Sequence, residues 1–227
     1  MKTDSLLTYG IHPEVEAFST LRDASLPYPV IQAHQTHGTR VAVIDRPGYT
    51  REELEGIDAL VTDLKDCAIG VRTADCIPIL MYDPVRKAAA AVHSGWRGTV
   101  EKICSNTIDA MYEIYGTDPG DIIAVIGPGI GEDSFQVGEE VALAFKNAGF
   151  DMERIWSFRG KTEEGSISGG HHINLWEAVK LTLVEAGVRE ENISTAGICT
   201  YERNDLFFSA RREGKDCGRI INSIKIL

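Results

Sequence analysis

No apolar run in this chain is long enough to cross a bilayer, so no membrane-spanning helix is expected. No block of Lys or Arg stands out, and the net charge is −11. That balance argues against nucleic acid or an anionic membrane as the main partner. An anionic substrate needs a local basic pocket to offset the overall field. The first stretch, MKTDSLLTYGIHPEVEAF, has neither a sustained apolar core nor a cleavage pattern. No signal peptide is read there, and the cytoplasm is the expected compartment. The five cysteines, Cys67, Cys76, Cys104, Cys199 and Cys217, are scattered and odd in number. They argue against a disulfide framework and read mostly as small buried hydrophobes. Repeats, linkers and breaks in composition are also lacking. The 227 residues therefore read as one domain, 1–227, of class α+β with mixed sheets and helices outside.

What is present concentrates between Gly70 and Thr99, GVRTADCIPILMYDPVRKAAAAVHSGWRGT. Ala68–Val71 opens this region. The apolar run Ile77–Tyr82 leads into Asp83-Pro84-Val85-Arg86, which suits a tight turn. The small-residue run Ala88–Val92 returns and ends in His93. A hairpin centred between Pro84 and Val85 sets Cys76 directly opposite His93, with Cβ atoms about 4.5–5.5 Å apart on one face. A thiolate and an imidazole so placed suit one shared Zn²⁺. A one-residue slip would separate them onto opposite faces, and Pro78 marks a bulge or an edge. Asp75, inside an apolar run, needs a partner. Arg72 and Arg97 are the candidates, and a buried tie and a catalytic carboxylate fit equally. Thr99 reads as the N-cap of a helix through Tyr115 that Gly116 ends. Arg97 beside that helix start suits an anion; the alternative is a tight corner with a solvated arginine.

Around this core the pattern alternates. Ala17–Thr20 reads as a short strand, and Val30–Ala33 and Val41–Asp45 read as extended. His37-Gly38 sits at the break between those two pieces, where an imidazole can face a cleft; taken alone, it reads as a surface loop residue. Ile57–Thr62 reads as a strand that begins with a charge. Asp121–Ile126 is a strand followed by Gly127-Pro128-Gly129-Ile130-Gly131, which does not fit a dinucleotide loop and reads as a loop lining a site. Helices are expected over Glu139–Ala148 and after Asn174, whose pairing with Glu177 is a capping pattern. Ser157–Gly170 reads as an exposed loop, and His171 and His172 as surface loop residues. Ile193–Thr200, Leu206–Ala210 and Ile220–Ile226 read as strands, with Arg211, Arg212 and Arg219 clustered near the end.

Several of these motifs together resemble one family. Gln35-Thr36-His37-Gly38, Thr73-Ala74-Asp75-Cys76, His93-Ser94-Gly95-Trp96-Arg97-Gly98, Ile126–Gly131, and Cys199-Thr200-Tyr201 with Phe207–Arg212 are similar to the bacterial YfiH/YlmD family. Its other name is the multicopper polyphenol oxidoreductase, or laccase-like, family. The resemblance implies a single α-β-β-α layered domain and a Zn²⁺ held by His37, Cys76 and His93. Spacing by itself pairs only Cys76 with His93; His37 rests on the resemblance. It also implies purine nucleoside chemistry: phosphorolysis of adenosine, inosine and methylthioadenosine, and deamination of adenosine. The partners are then a purine nucleoside and phosphate. The chain departs from the pattern in residues 1–30, which are short, with only Ser19-Thr20-Leu21-Arg22 of a longer motif. It also carries Asn174 where Asp is common and Cys217 where Thr is common.

Three protein ligands leave a tetrahedral position open, the arrangement of catalytic zinc. In this reading Cys76, Asp75 and Arg97 are the catalytic candidates. Arg97 holds phosphate, and Asp75 carries a proton or orients a neighbour. Two rivals stand beside it. A copper oxidase of phenols would use the same His₂Cys set, but a four-copper enzyme needs many more imidazoles than the six histidines present. A cysteine hydrolase would use Cys76 as nucleophile and His93 as base, with no metal.

Overall fold

The computed structural model describes residues 5–160 and 170–227. The first strands are β1 (Leu6–Tyr9), β2 (Val15–Thr20), β3 (Ile31–Gln32), β4 (Val41–Val43) and β5 (Ala59–Thr62). The central ones are β6 (Ala68–Thr73), β7 (Ile77–Asp83), β8 (Ala88–Ser94) and β9 (Ile123–Ile126). The last are β10 (Gln136–Val137), β11 (Trp156–Arg159), β12 (Gly170–Ile173), β13 (Ile193–Thr195) and β14 (Ile220–Ile226). They form a six-stranded sheet ordered β13-β9-β7-β8-β5-β4, a five-stranded sheet ordered β1-β2-β14-β6-β3, and a small sheet ordered β10-β12-β11. The helices are α1 (Trp96–Val100), α2 (Ile103–Tyr115), α3 (Glu139–Asn147), α4 (Met152–Ile155), α5 (Leu175–Glu185) and α6 (Ala210–Glu213).

β7 and β8 are buried along their whole length, and mostly apolar, because both faces of their sheet are covered. On one face Ala88, Ala90 and Val92 pack with Ile103, Ile108 and Met111 of α2 and with Ala178, Val179 and Leu183 of α5. On the other, Ala89 and Ala91 pack with Val15, Ile69, Val71 and Ile224 of the five-stranded sheet. Small alanines let both layers close on the strand. On the far face of the five-stranded sheet, Tyr28 packs against Phe18 and Lys225. The result is a mixed α+β single-domain fold. Among the described residues no helix is long and apolar enough to cross a membrane.

The hairpin forms where expected but in a different register. Pro78, not Cys76, faces His93, and Asp83 faces Ala88 across a four-residue turn. The Asp83 carboxylate accepts the backbone N–H groups of Val85 and Arg86, and Lys87 closes the turn at φ 59°. This widens the turn from two residues to four, and an even slip keeps His93 on the same face. β6 does not open the hairpin: it pairs with β14 and β3 in the other sheet.

Thr99 is not an N-cap. It lies inside α1, its hydroxyl bonded to the Gly95 carbonyl and the Ser94 hydroxyl, and Lys102 at φ 60° separates α1 from α2. Gly116 ends α2 at φ 71°, as the sequence predicts. Asn174 caps α5 by accepting the Glu177 N–H. Leu206–Ala210 is not a strand; Ser209 instead caps the short α6. Trp156–Arg159 is a strand rather than loop, and residues 161–169 of the expected loop lie outside the described residues. His171 and His172 lie in β12, between β10 and β11, rather than in a loop.

Candidate metal centre

Three separate connections bring His37, Cys76 and His93 together. His37 stands in the bend between β3 and β4, at φ 63°. Cys76 ends the Ala74–Cys76 bend, where the chain crosses from the five-stranded to the six-stranded sheet. His93 is the last residue but one of β8. One ligand atom from each lies within 4.8 Å of the other two. The two imidazoles meet edge to face, with ring centroids 4.8 Å apart.

Asp58 holds two of the three in place. It is fully buried, just before β5. One carboxylate oxygen accepts His93 Nδ1–H at 2.7 Å and the His37 backbone N–H at 2.9 Å. The other accepts the N–H groups of Gly38 at 2.8 Å and Thr36 at 3.2 Å. The Asp58 carbonyl accepts the His93 N–H as well. Burial would raise this carboxyl, but His93 and the backbone donors together hold it below its ordinary range. With Nδ1–H given to Asp58, His93 Nε2 is the nitrogen left to bind a metal. Sequence reasoning missed Asp58 as a site residue. The one signal was the charge opening an otherwise apolar strand, since a buried carboxylate needs partners.

Cys76 is positioned from behind. Asp75, at φ 86°, accepts the Thr200 hydroxyl at 2.7 Å and the Arg211 backbone N–H at 2.6 Å. Its partners are therefore neither Arg72 nor Arg97. The Asp75 carbonyl accepts the Ile130 N–H. The Gly127–Gly131 loop thus braces this bend, and a Cβ on Gly129 would lie 3.1 Å from the Asp75 carbonyl. Gly95 is equally constrained: a Cβ there would lie 3.1 Å from the His37 ring and 3.2 Å from Cys76 Sγ. Burial would raise the Cys76 thiol, yet the two imidazoles hold it below the ordinary thiol value. His93 is displaced upward: its burial is outweighed by Cys76 and Asp58.

The three ligands open onto a cavity of about 550 Å³. Gln35, Arg72 and Ala74 also line it, as do Arg51 and, from the C-terminal segment, Lys215, Asp216, Cys217 and Arg219. Neither Asp75 nor Arg97 is among the lining residues. Arg97 is exposed and stacks on Trp96. One thiol and two imidazoles at a cavity, with a carboxylate behind one imidazole, is a donor set that fits a catalytic metal.

Fold and site together define an α+β protein with a His/Cys/His cluster that could hold a metal ion, at the junction of two sheets. The family described as multi-copper polyphenol oxidoreductase laccase matches residues 15–227, and the chain belongs to it. A purine nucleoside phosphorylase of Bacteroides thetaiotaomicron is 43% identical over 86% of this chain and 72% of that one. Adenosine deaminase RL5, from an unknown prokaryotic organism, is 39% identical over 86% of this chain and 74% of that one. The crystal structure of the Bacillus licheniformis hypothetical protein YfiH superposes with a TM-score of 0.86 at 26% identity, covering 100% of this chain and 98% of that one. The chain is an enzyme of this family.

Proposed function

We propose that the chain is a zinc-dependent purine nucleoside enzyme that cleaves adenosine, inosine and methylthioadenosine with phosphate and deaminates adenosine. The observation that carries this reading is the convergence of His37, Cys76 and His93 on one cavity large enough for a nucleoside. The names of the two relatives support the substrate class. His37, Cys76 and His93 would hold the zinc. When bound, zinc supplies a Lewis acid and lowers the pKa of water to about 7. Asp58 keeps His93 in the tautomer that ligates. Asp75, whose two oxygens are each hydrogen-bonded and which lies outside the cavity lining, acts as a strut that aims Cys76 rather than as a proton carrier.

The histidine inventory speaks against a multi-copper cluster. His12 stacks on Tyr82, His34 pairs with Glu55, His171 accepts from Trp156 and His172 bonds the Glu132 carbonyl. Only His37 and His93 remain for a metal. A second reading has one observation in its favour: Cys76, His93 and Asp58 line up as a nucleophile, a base and an orienting carboxylate. That arrangement leaves His37 without a role.

The test is to strip the metal, restore zinc or copper singly, and identify the products from adenosine and inosine with and without phosphate. Zinc-dependent release of free base and ribose 1-phosphate is expected. Activity that survives chelation but is lost on alkylation would replace this reading with the cysteine hydrolase.

A further inference from the structure

We infer that the cavity carries a phosphate subsite built by Arg72 and Arg219, with Arg51 and Lys215 beside them, and that Arg97 takes no part in it. The identity of the ligand rests on the phosphorolysis reading; the existence of the subsite does not.

The argument starts from charge. In a chain of net charge −11, carboxylates are plentiful, and several arginines pair with one. Arg22 pairs with Glu213, Arg46 with Glu53, Arg154 with Glu177 and Arg203 with Asp205. Around the cavity four basic side chains gather instead. Arg51, Arg72, Arg219 and Lys215 all line it, and among the described residues none of them forms an ion pair. Asp216 lines the same cavity and pairs with none of them.

Two of the four, Arg72 and Arg219, are also tethered. Arg72 projects from β6 and is half-buried, and among the described residues its guanidinium hydrogen-bonds only the Gln32 side-chain oxygen, at 3.4 Å. Burial, and then the charges of Arg51 and Arg219, disfavour its protonated form. Arg51 and Arg219 therefore both stand within the field of Arg72. Arg219 is pinned by the carbonyls of Lys215 at 2.7 Å and Gly218 at 3.0 Å, and by that of Cys217. Like charges fixed together beside a cavity, without a protein counter-ion, are matched to a multiply charged anion, and a guanidinium is the side chain best shaped for phosphate. Arg97 offers none of this. It is exposed on a helix of five residues, stacked on Trp96, outside the cavity lining.

In phosphorolysis an oxygen of the held phosphate forms a bond to ribose C1′ as the C1′–N9 bond breaks. The bonding pair leaves with the purine, which takes up a proton, and the products are ribose 1-phosphate and free base. Deamination exchanges the amine for the oxygen of water and involves no phosphate. The two activities therefore separate the subsite from the rest of the cavity.

The experiment uses zinc-loaded enzyme and the variants Arg72→Met, Arg72→Lys and Arg219→Gln. Arg72→Met is expected to raise the KM for phosphate and lower the ratio of phosphorolysis to deamination, each by about ten-fold or more, the loss of charged hydrogen bonds. Arg72→Lys is expected to recover part of it. An unchanged ratio overturns the proposal, since a misfolded or nucleoside-binding variant lowers both activities together. Equilibrium dialysis with radiolabelled orthophosphate reads the subsite without turnover. Binding that falls with Arg72→Met in a protein devoid of nucleoside activity keeps the subsite and removes the phosphorolysis reading. Phosphorolysis with phosphate binding indifferent to Arg72 and Arg219 does the reverse. Competition by adenosine 5′-monophosphate but no retention of orthophosphate assigns the cluster to a phosphate carried on a nucleotide and overturns the free-phosphate subsite.

Discussion

The two ends of the β7–β8 hairpin use the same parts and differ in how those parts are held. Each has a buried aspartate and a non-glycine residue at positive φ. At the turn, Asp83 accepts from Val85 and Arg86, and Lys87 adopts the left-handed backbone within four residues of it. At the open end, Asp75 adopts that backbone itself and reaches Thr200 and Arg211, 125 and 136 residues away. Asp58 reaches His93 across 35 residues. The turn closes on itself, whereas the open end is shaped by segments far away in the chain. Local bonds define a turn, while only a finished fold can hold a strained bend open beside a cavity.

The comparison breaks most sharply if the open end tolerates loss of a ligand. Cys76→Ala and His93→Ala are each expected to abolish stoichiometric zinc and both nucleoside activities, checked by elemental analysis and product chromatography. The next effect belongs to Asp58. Asp58→Asn is expected to weaken zinc binding by about 10–100-fold, read by competition with a chelator, because the charge behind His93 is lost and one of the two accepting oxygens becomes an NH₂ donor. Gly95→Ala is expected to weaken zinc binding less, since its new methyl lies against the His37 ring and Cys76 Sγ. Gly10→Ala, with nothing among the described residues within 4 Å of the added carbon, serves as its control.

A chemical contrast sharpens the same point. In metal-free protein the imidazoles lower the Cys76 thiol, so iodoacetamide is expected to modify Cys76 at neutral pH and zinc to protect it. Cys104, which burial pushes up to about 12, is expected to stay unmodified in the same digest. The smallest effect is at the turn. Asp83→Ala is expected to cost about 1–3 kcal/mol of stability by freeing two N–H groups, seen as a lower Tm, with zinc affinity unchanged. A turn variant that released zinc would erase the difference between the two ends.

The same contrast explains what was legible beforehand. The apolar runs of β7 and β8, the stripe of α2 and the Asn174 cap depend on neighbours within a few residues, and they appear where the pattern puts them. The register missed by two because Asp83 supports a longer turn than Asp-Pro suggests. Cys76 and His93 still converge, although not as directly opposed partners. His37 was legible through resemblance, since nothing local marks a loop histidine as a ligand. Arg97 had a glycine-rich corner in its favour, but stacking on Trp96 keeps it out of the cavity lining.

By itself the sequence determined the hairpin, the helices that cover it and the residue types available to a metal, because hydrophobic period and turn chemistry act over short distances. Only the tertiary structure decided that Asp58 stands behind His93, that Asp75 is a strut, and that Arg72 and Arg219 share a cavity with the ligands. Those groups lie tens to hundreds of residues apart, and a buried charge reveals its partner only when the sheets have closed around it.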